Sequence, residues 1–448
     1  MKTIVNIFIL LVSLSLTACS KFLDKKSDSK LAIPEKAEDF QALLDNTNFF
    51  NVFTTGMSES SADDYYLTEA AWTALATEGD RNLYIWEKEV VFNEPQNTWR
   101  NLYACVNYAN IVLQGAEKFY DNTDESWRNV MGAACFYRAN ALNMVAETWA
   151  KAYNPADAKT TLGIPLRLDP DFNKKSTRSN LQETFDQIIA DLRTAIPLLP
   201  LQAKQLTRPS KAAAYALLSR VYLYMRDYAK AGLYADSCLQ INNQLLNYNT
   251  LSSTATYPVP RFNKEVLFHM SGNTFLTSNV RALIDSNLYR SYATNDLRKT
   301  IFFRLNPDGS QTFRGSYDGS SGNFVGIASD ETYLTAAECK ARKGDYNGAM
   351  ALLNTLLVNR WKTGTYTPLT ASNSAEALGK ILIERRKELL LRDLRWMDIK
   401  RLNLEGAAIT LKRQLGSKTY TLPPNDNRFA LPIPQYVIDF SGMEQNPR

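Results

Sequence analysis

The chain has 448 residues and a formal net charge of +5, and 45% of its residues are hydrophobic and 11% aromatic. That much apolar material supports a large folded core, and so small a charge excess over this length gives no nucleic-acid surface. A single histidine, His269, excludes a His-based metal cluster and leaves a Ser-His triad only one candidate base.

At the start of the chain, Lys2 precedes an apolar run over residues 4–16 that ends in Leu16-Thr17-Ala18-Cys19. The run is shorter than the roughly 20 residues of a spanning helix, and the small residue before Cys19 fits cleavage of a bacterial lipoprotein signal. Several acyl chains on Cys19 hold a mature chain on a membrane, where a single chain binds reversibly. Residues 20–34 are mostly polar and end in Pro34, which suits a tether. The expected organisation is a signal peptide over 1–18, a lipidated tether over 19–34 and one folded domain over 35–448.

Helical spacing of apolar residues recurs at 40–44, 99–113, 127–149, 181–199, 210–225, 331–342, 347–357 and 376–402. Strand signals are few: Val90-Val91-Phe92, residues 266–270, and 301–305 with 311–313 around a Pro307-Asp308-Gly309 turn. Long irregular segments at about 46–97, 153–180, 244–330 and 403–448 interrupt the helices, and loops of that length are functional or disordered. The glycine-rich stretch 306–326 reads as a flexible or hairpin tip that could form a mobile rim. Cys105, Cys135, Cys238 and Cys339 form no CxxC and read as small buried hydrophobes, with a disulfide left open and no pair specified.

Two segments carry helix-turn-helix spacing of the tetratricopeptide kind. Tyr215, Leu218, Ser219, Tyr222, Asp227, Tyr228 and Ala231 form the first, and Tyr333, Ala336, Ala337, Gly344, Asp345, Tyr346 and Ala349 the second. Small residues let the paired helices approach, and tyrosines fill the groove between them. The two lie about 118 residues apart rather than the repeat's roughly 34, so they are expected not to form a continuous solenoid. Their missing partners would come from helices such as 98–118 and 127–150.

A chain of short matches resembles the SusD/RagB family of outer-membrane lipoproteins over nearly the whole mature chain. Residues 19–24 (CSKFLD) resemble the family's "CSDFLD" start, and Trp99-Arg100-Asn101-Leu102-Tyr103 with Asn107–Asn110 its "W..LY..I..AN" helix. Residues 132–139 resemble "GEARFLRA", 163–166 "GDVPL", and 184–200 "YDFIIEDLEEAIELLP". The most specific matches are late: 209–223 (PSKAAAYALLSRVYL) and 383–401 (IERRKELLLRDLRWMDIKR), then Leu431-Pro432-Ile433-Pro434 and Gln445-Asn446-Pro447. Leu394 stands where the family usually has His, and Lys25 and Lys26 stand where an acidic run would favour export to the cell exterior. The resemblance implies a mainly α fold, an α-α superhelix of four tetratricopeptide-like helix pairs with a loop-rich variable part at about 46–97 and 244–330 and small β-hairpin elements. It also implies docking on a SusC-like TonB-dependent transporter, an oligosaccharide or, as in RagB-like proteins, a peptide ligand, an outer-membrane location facing outward, and no cofactor.

Enzyme motifs are few. The sequence holds no GxSxG elbow and no GxxxxGK[ST] loop, and His269 lies in an apolar strand-like segment that reads as structural. Asp63-Asp64 and Asp330-Glu331 are adjacent pairs, which rarely converge on one sugar bond; they read as helix caps or a polar rim. The charged stretch 384–401 reads as an architectural helix, with Leu390, Leu394 and Met397 on one stripe and Glu388 facing Arg392 at i, i+4. Trp99 belongs to a helix core, and Asp296 with Arg298 reads as structural.

The ligand candidates are Asp64, Tyr65, Trp72, Arg81, Tyr84 and Trp86, joined by Tyr289 and Tyr292 from the variable region. A pyranose offers an apolar C–H face to a flat ring and hydroxyls to planar polar groups, which this mixture supplies. Burial in the core is the competing expectation for each ring. A lipid-anchored interaction scaffold without a small ligand is the alternative function.

Overall fold

The computed structural model describes residues 34–52, 56–89, 97–272 and 276–448. The expected lipoprotein signal with Cys19, the expected tether up to residue 33 and the expected strand at Val90-Val91-Phe92 lie outside these residues. Among the described residues, no helix is long and apolar enough to cross a membrane.

The fold is mainly α, and helix follows helix in space much as in sequence. Helix α1 (Ala37–Leu44) packs on α2 (Thr98–Ala116) and α3 (Glu125–Trp149). Then α3 packs on α4 (Leu181–Leu198), α4 on α5 (Lys211–Tyr224), and α5 on α6 (Tyr228–Ile241). Side-chain caps start most of these helices: Asn97, Asp124, Asn180, Ser210 and Asp227 each accept a first-turn backbone N–H. Helix α7 (Ser329–Arg342) packs against α6, α8 (Tyr346–Leu357) and α9 (Ser374–Glu388). The two tetratricopeptide-like pairs, α5/α6 and α7/α8, are therefore direct neighbours. This corrects the expectation drawn from their separation, because residues 242–328 loop out and return while the superhelix continues across the gap. At the junction the helices approach so closely that a Cβ on Gly232 would sit 3.0 Å from Cys339 Cβ. All four described cysteines are free and buried, and burial pushes each thiol up to about 12.

The expected helix over 376–402 is broken in two. After α9, residues 389–394 leave helical geometry, with Leu391 at φ 56° and Asp393 at φ 61°, before α10 (Arg395–Asn403) begins. Left-handed backbone costs an ordinary residue about 1–2 kcal/mol, and tertiary contacts offset it. Leu390 and Leu391 enter a second hydrophobic cluster built from the 242–328 insertion, with Val266, Tyr292, Phe302, Phe303 and Phe324. Asp393 accepts from Ser58 Oγ and from the Glu59 N–H, capping the short helix Met57–Ser61 from outside. The expected Glu388–Arg392 pair does not form: Glu388 binds Arg298 and Arg360, and Arg392 binds Asp330.

Where insertion meets superhelix, the join is ionic and almost wholly buried. Arg298 reaches Asp296 at 2.7 Å, Glu384 at 2.5 Å and Glu388 at 2.9 Å, and Arg360 bridges Glu388 at 2.7 Å to Glu265 at 2.9 Å. Strands are short antiparallel ladders. The expected hairpin pairs Phe303–Leu305 with Gln311–Phe313, but residues 315–318 and 323–326 are buried against the second cluster, which corrects the reading of 306–326 as a mobile rim. The segment 403–448, expected to be irregular, contains a second hairpin, Leu411–Leu415 with Lys418–Leu422. The closing motifs clasp each other: Gln445 exchanges both amide hydrogen bonds with Ile433, and Asn446 Nδ2 donates to Trp149 O and Leu431 O.

Candidate functional site

The two candidate sets, far apart in sequence, meet in space. Tyr65–Tyr66 pairs antiparallel with Leu283–Ile284, Tyr66 opposite Leu283, and the Asp285 N–H donates to Asp64 O at 3.0 Å. Residues 286–290, a short helix carrying Tyr289, follow directly.

Alternation along this pair sorts the side chains. Tyr65 points inward and is 1% exposed, and its hydroxyl donates to Ser60 O at 2.7 Å. Tyr84 and Trp86 are buried beside it: the Tyr84 hydroxyl accepts the Leu67 N–H at 2.7 Å, and Trp86 Nε1 donates to Ser61 O at 2.9 Å. Asp64 is buried against Arg386 at 2.9 Å. Tyr292 is 1% exposed and donates to Lys387 O at 2.7 Å. In this structure these five build the support of the face and offer no ring or carboxylate to solvent.

The remaining candidates are less buried. Trp72, on the short helix Glu69–Thr73, is half-buried, and its Nε1 donates to Arg81 O at 3.0 Å. Arg81 is half-buried and donates to Leu75 O at 2.6 Å. Tyr66 is half-buried on the outward side of its strand, and Tyr289 is half-buried with Lys299 Nζ 5.0 Å from its ring. Asp80 lies within the electrostatic reach of Arg281 and Arg81; burial raises its carboxyl above the usual range, and hydrogen bonding to Thr77 and the pull of Arg281 oppose the rise. Around the strand pair, the half-buried rings and guanidinium groups offer chemistry that can hold a polyhydroxylated ligand, and no activated nucleophile is among them.

Sequence reasoning missed the group at the centre of the support. Arg413, on the hairpin 411–422, is 3% exposed with its guanidinium 4.7, 4.2 and 5.3 Å from the rings of Tyr65, Tyr84 and Trp86. The signal was present, since apolar Leu411, Leu415 and Leu422 bracket a Gly416-Ser417 turn in a run of two-residue alternation. The same hairpin presses on the short helix Glu69–Thr73, where a Cβ on Gly416 would lie 2.8 Å from Glu69 Oε2.

The other chemistry-bearing groups are committed to the fold. His269 is buried, its Nε2 3.2 Å from Asp318 Oδ1, and the Ser271 hydroxyl donates to that same Asp318 oxygen; both therefore meet the carboxylate, and neither activates the other. The two adjacent acidic pairs are ion-paired rather than simple caps or a rim. Burial works against ionisation of Asp63, yet Arg395 and Arg386 override it and hold the carboxyl below the usual range. Asp330 binds Arg392 at 3.1 Å and Glu331 binds Arg220 at 2.6 Å. Glu265, Asp330 and Glu388 bring carboxylate oxygens within 4.8 Å of one another, but Arg360 and Arg392 supply the positive charge a cation would bring.

Of the larger clefts, one of about 520 Å³ runs between α6 and α7, and another of about 420 Å³ lies between α1, α3 and residues 199–209. A smaller polar pocket of about 110 Å³ reaches Lys400, whose Nζ caps the end of α3 by donating to Glu147 O at 2.7 Å and Ala150 O at 2.6 Å. None of the three is lined by the residues of the aromatic face.

Comparison with known proteins adds the following. A family model described as "Starch-binding associating with outer membrane" matches residues 21–223, and the model of the SusD family matches residues 252–448. No curated protein matched. Among solved structures, a SusD superfamily protein of Bacteroides thetaiotaomicron is 22% identical, with 92% of this chain and 100% of that chain covered and a TM-score of 0.76. A SusD superfamily protein of Bacteroides fragilis is 21% identical, covering 92% and 99%, with a TM-score of 0.73. A SusD-like carbohydrate binding protein of Bacteroides vulgatus is 18% identical, covering 91% and 97%, with a TM-score of 0.67.

Proposed function

The chain belongs to the SusD family, and from that premise we propose that it is a non-catalytic, lipid-anchored surface protein that captures an oligosaccharide and passes it to a SusC-like TonB-dependent transporter. The observation that carries the ligand is the aromatic face, where Trp72, Arg81 and Tyr289 stand half-exposed on a buried support. Stacking on Trp72 and Tyr289 takes the apolar side of a sugar ring, and Arg81 takes its hydroxyls. The relatives' descriptions, one as starch-binding and one as carbohydrate binding, favour a glycan over a peptide. Acylation at Cys19 anchors the chain in the outer membrane, facing the cell exterior, with residues 20–34 as tether.

The proposal treats the protein as a carrier, so substrate leaves it unchanged. Purification of the lipidated protein from its native membrane is expected to bring down a large TonB-dependent barrel, and incubation with glycans is expected to release no product. Recovery of the protein alone, or with unrelated envelope proteins, would sink the transporter partnership. Newly formed reducing ends would make the protein a hydrolase.

A further inference from the structure

Arg413 is a buried cation without a carboxylate in contact: among the described residues no acidic oxygen lies within ion-pairing distance of it, and Asp63, bound to Arg395 and Arg386, feels its charge only at longer range. Its charge is met instead by three rings and by backbone carbonyls. Its Nη1 donates to Tyr65 O, and its Nη2 donates to Ala62 O and, at 3.4 Å, to Ser60 O. Its Nε has no partner. Desolvating a guanidinium in this way is costly, and an apolar side chain of similar size would serve stability better. What an apolar side chain cannot do is draw the carbonyls of residues 60, 62 and 65 to one point.

Those three carbonyls belong to the turn that sets the face. Residues 60–67 are fixed from the same side by Tyr65 Oη on Ser60 O, Trp86 Nε1 on Ser61 O and Tyr84 Oη under the Leu67 N–H. The rings that make these bonds are the ones packed around Arg413. Turn, rings and guanidinium therefore form one unit, and Tyr65–Tyr66 leaves it in the register that pairs with Leu283–Ile284.

We propose that Arg413 is the positioning residue of the ligand face: its guanidinium gathers the carbonyls of residues 60, 62 and 65 inside the Tyr65, Tyr84 and Trp86 rings, which fixes the strand pair joining Tyr65–Tyr66 to Leu283–Ile284. The inference rests on the reading of that face as the saccharide site. The hairpin 411–422 thereby acts on ligand recognition without touching ligand, and its charge is required where an isosteric hydrocarbon would suffice for packing.

The test uses the full mature chain and Arg413→Ala, Arg413→Met and Arg413→Lys. Hydrogen exchange is expected to accelerate by about tenfold or more at residues 60–66 and 283–285 in the Ala and Met variants while α2–α5 keep their protection. Millimolar guanidinium is expected to restore protection in Arg413→Ala, and Arg413→Lys is expected to restore it in part. Unchanged exchange at these residues would overturn the proposal, as would acceleration spread evenly over α2–α5 without guanidinium rescue. A second arm titrates maltoheptaose, xylohexaose and inulin fragments: a probe bound by the wild type is expected to lose about tenfold or more in affinity with Arg413→Met. A wild type that binds no probe counts against the saccharide reading and leaves exchange to decide on Arg413, whereas Arg413→Met binding like wild type counts against Arg413 alone.

Discussion

Glu147 lies inside α3 with Oε1 buried and unpartnered. Burial pushes its carboxyl up to about 7, against the opposing pull of Arg220. Above about pH 4.5 the unfolded chain gives up this proton while the folded chain keeps it. The stabilisation is therefore complete below about 4.5 and is lost as pH rises through about 7. Glu147→Gln keeps a neutral side chain at every pH, so its stability relative to wild type is expected to grow from near zero at low pH to about 3 kcal/mol in mildly alkaline buffer. Chemical denaturation across that range reads the difference, and parallel curves for the two proteins would contradict it. At this scale the sequence was informative about residue types and silent about direction. Tyr65, Trp72, Tyr84 and Trp86 were all legible as an aromatic cluster, yet only Trp72 stays half-exposed. What sorts them is the Tyr65–Tyr66 register and the presence of Arg413, both set by residues more than 200 positions away.

Elements show the same division. Seven of the eight helical segments expected from apolar spacing are present as single helices and the eighth, 376–402, is split in two, and caps such as Asn180 with Glu183 fix their starts. The break at 389–394 was not legible, because no glycine or proline marks it; Leu390 and Leu391 are pulled out of helical order by a cluster that belongs to the insertion. The hairpin 411–422 carried a visible alternation, though its Lys and Gln outer face resembled a polar loop. The join between insertion and superhelix depends on Arg298, whose removal would leave Asp296, Glu384 and Glu388 as buried carboxylates with less compensation. Arg298→Ala is therefore expected to cost about 3–5 kcal/mol in unfolding free energy, read by denaturant titration. A loss under about 1 kcal/mol, typical of exposed pairs, would show that the network does not bind the two parts together.

Over the whole molecule, the superhelix runs from α2 to α9 and the insertion of residues 242–328 loops out between α6 and α7 to build the second cluster. The proposed ligand face lies where that insertion pairs with Tyr65–Tyr66. Periodicity revealed the helices, and the family resemblance supplied their arrangement; the 118-residue spacing of the two repeat-like pairs pointed the wrong way because sequence distance does not count a loop that returns. Of the eight residues expected at a ligand face, Asp64, Tyr65, Tyr84, Trp86 and Tyr292 are buried, and the strand pair that joins their two segments was not legible, since two-residue strands leave no periodic signal. The proposed function places capture on the exposed edge of this face and leaves the buried rings as support. Calorimetric titration of the wild type and Trp72→Ala with the same oligosaccharide tests that most directly. The expected result is saturable binding to the wild type and a loss of about tenfold or more in Trp72→Ala, with hydrogen-exchange protection kept in α2–α5; equal affinity of the two proteins would contradict it.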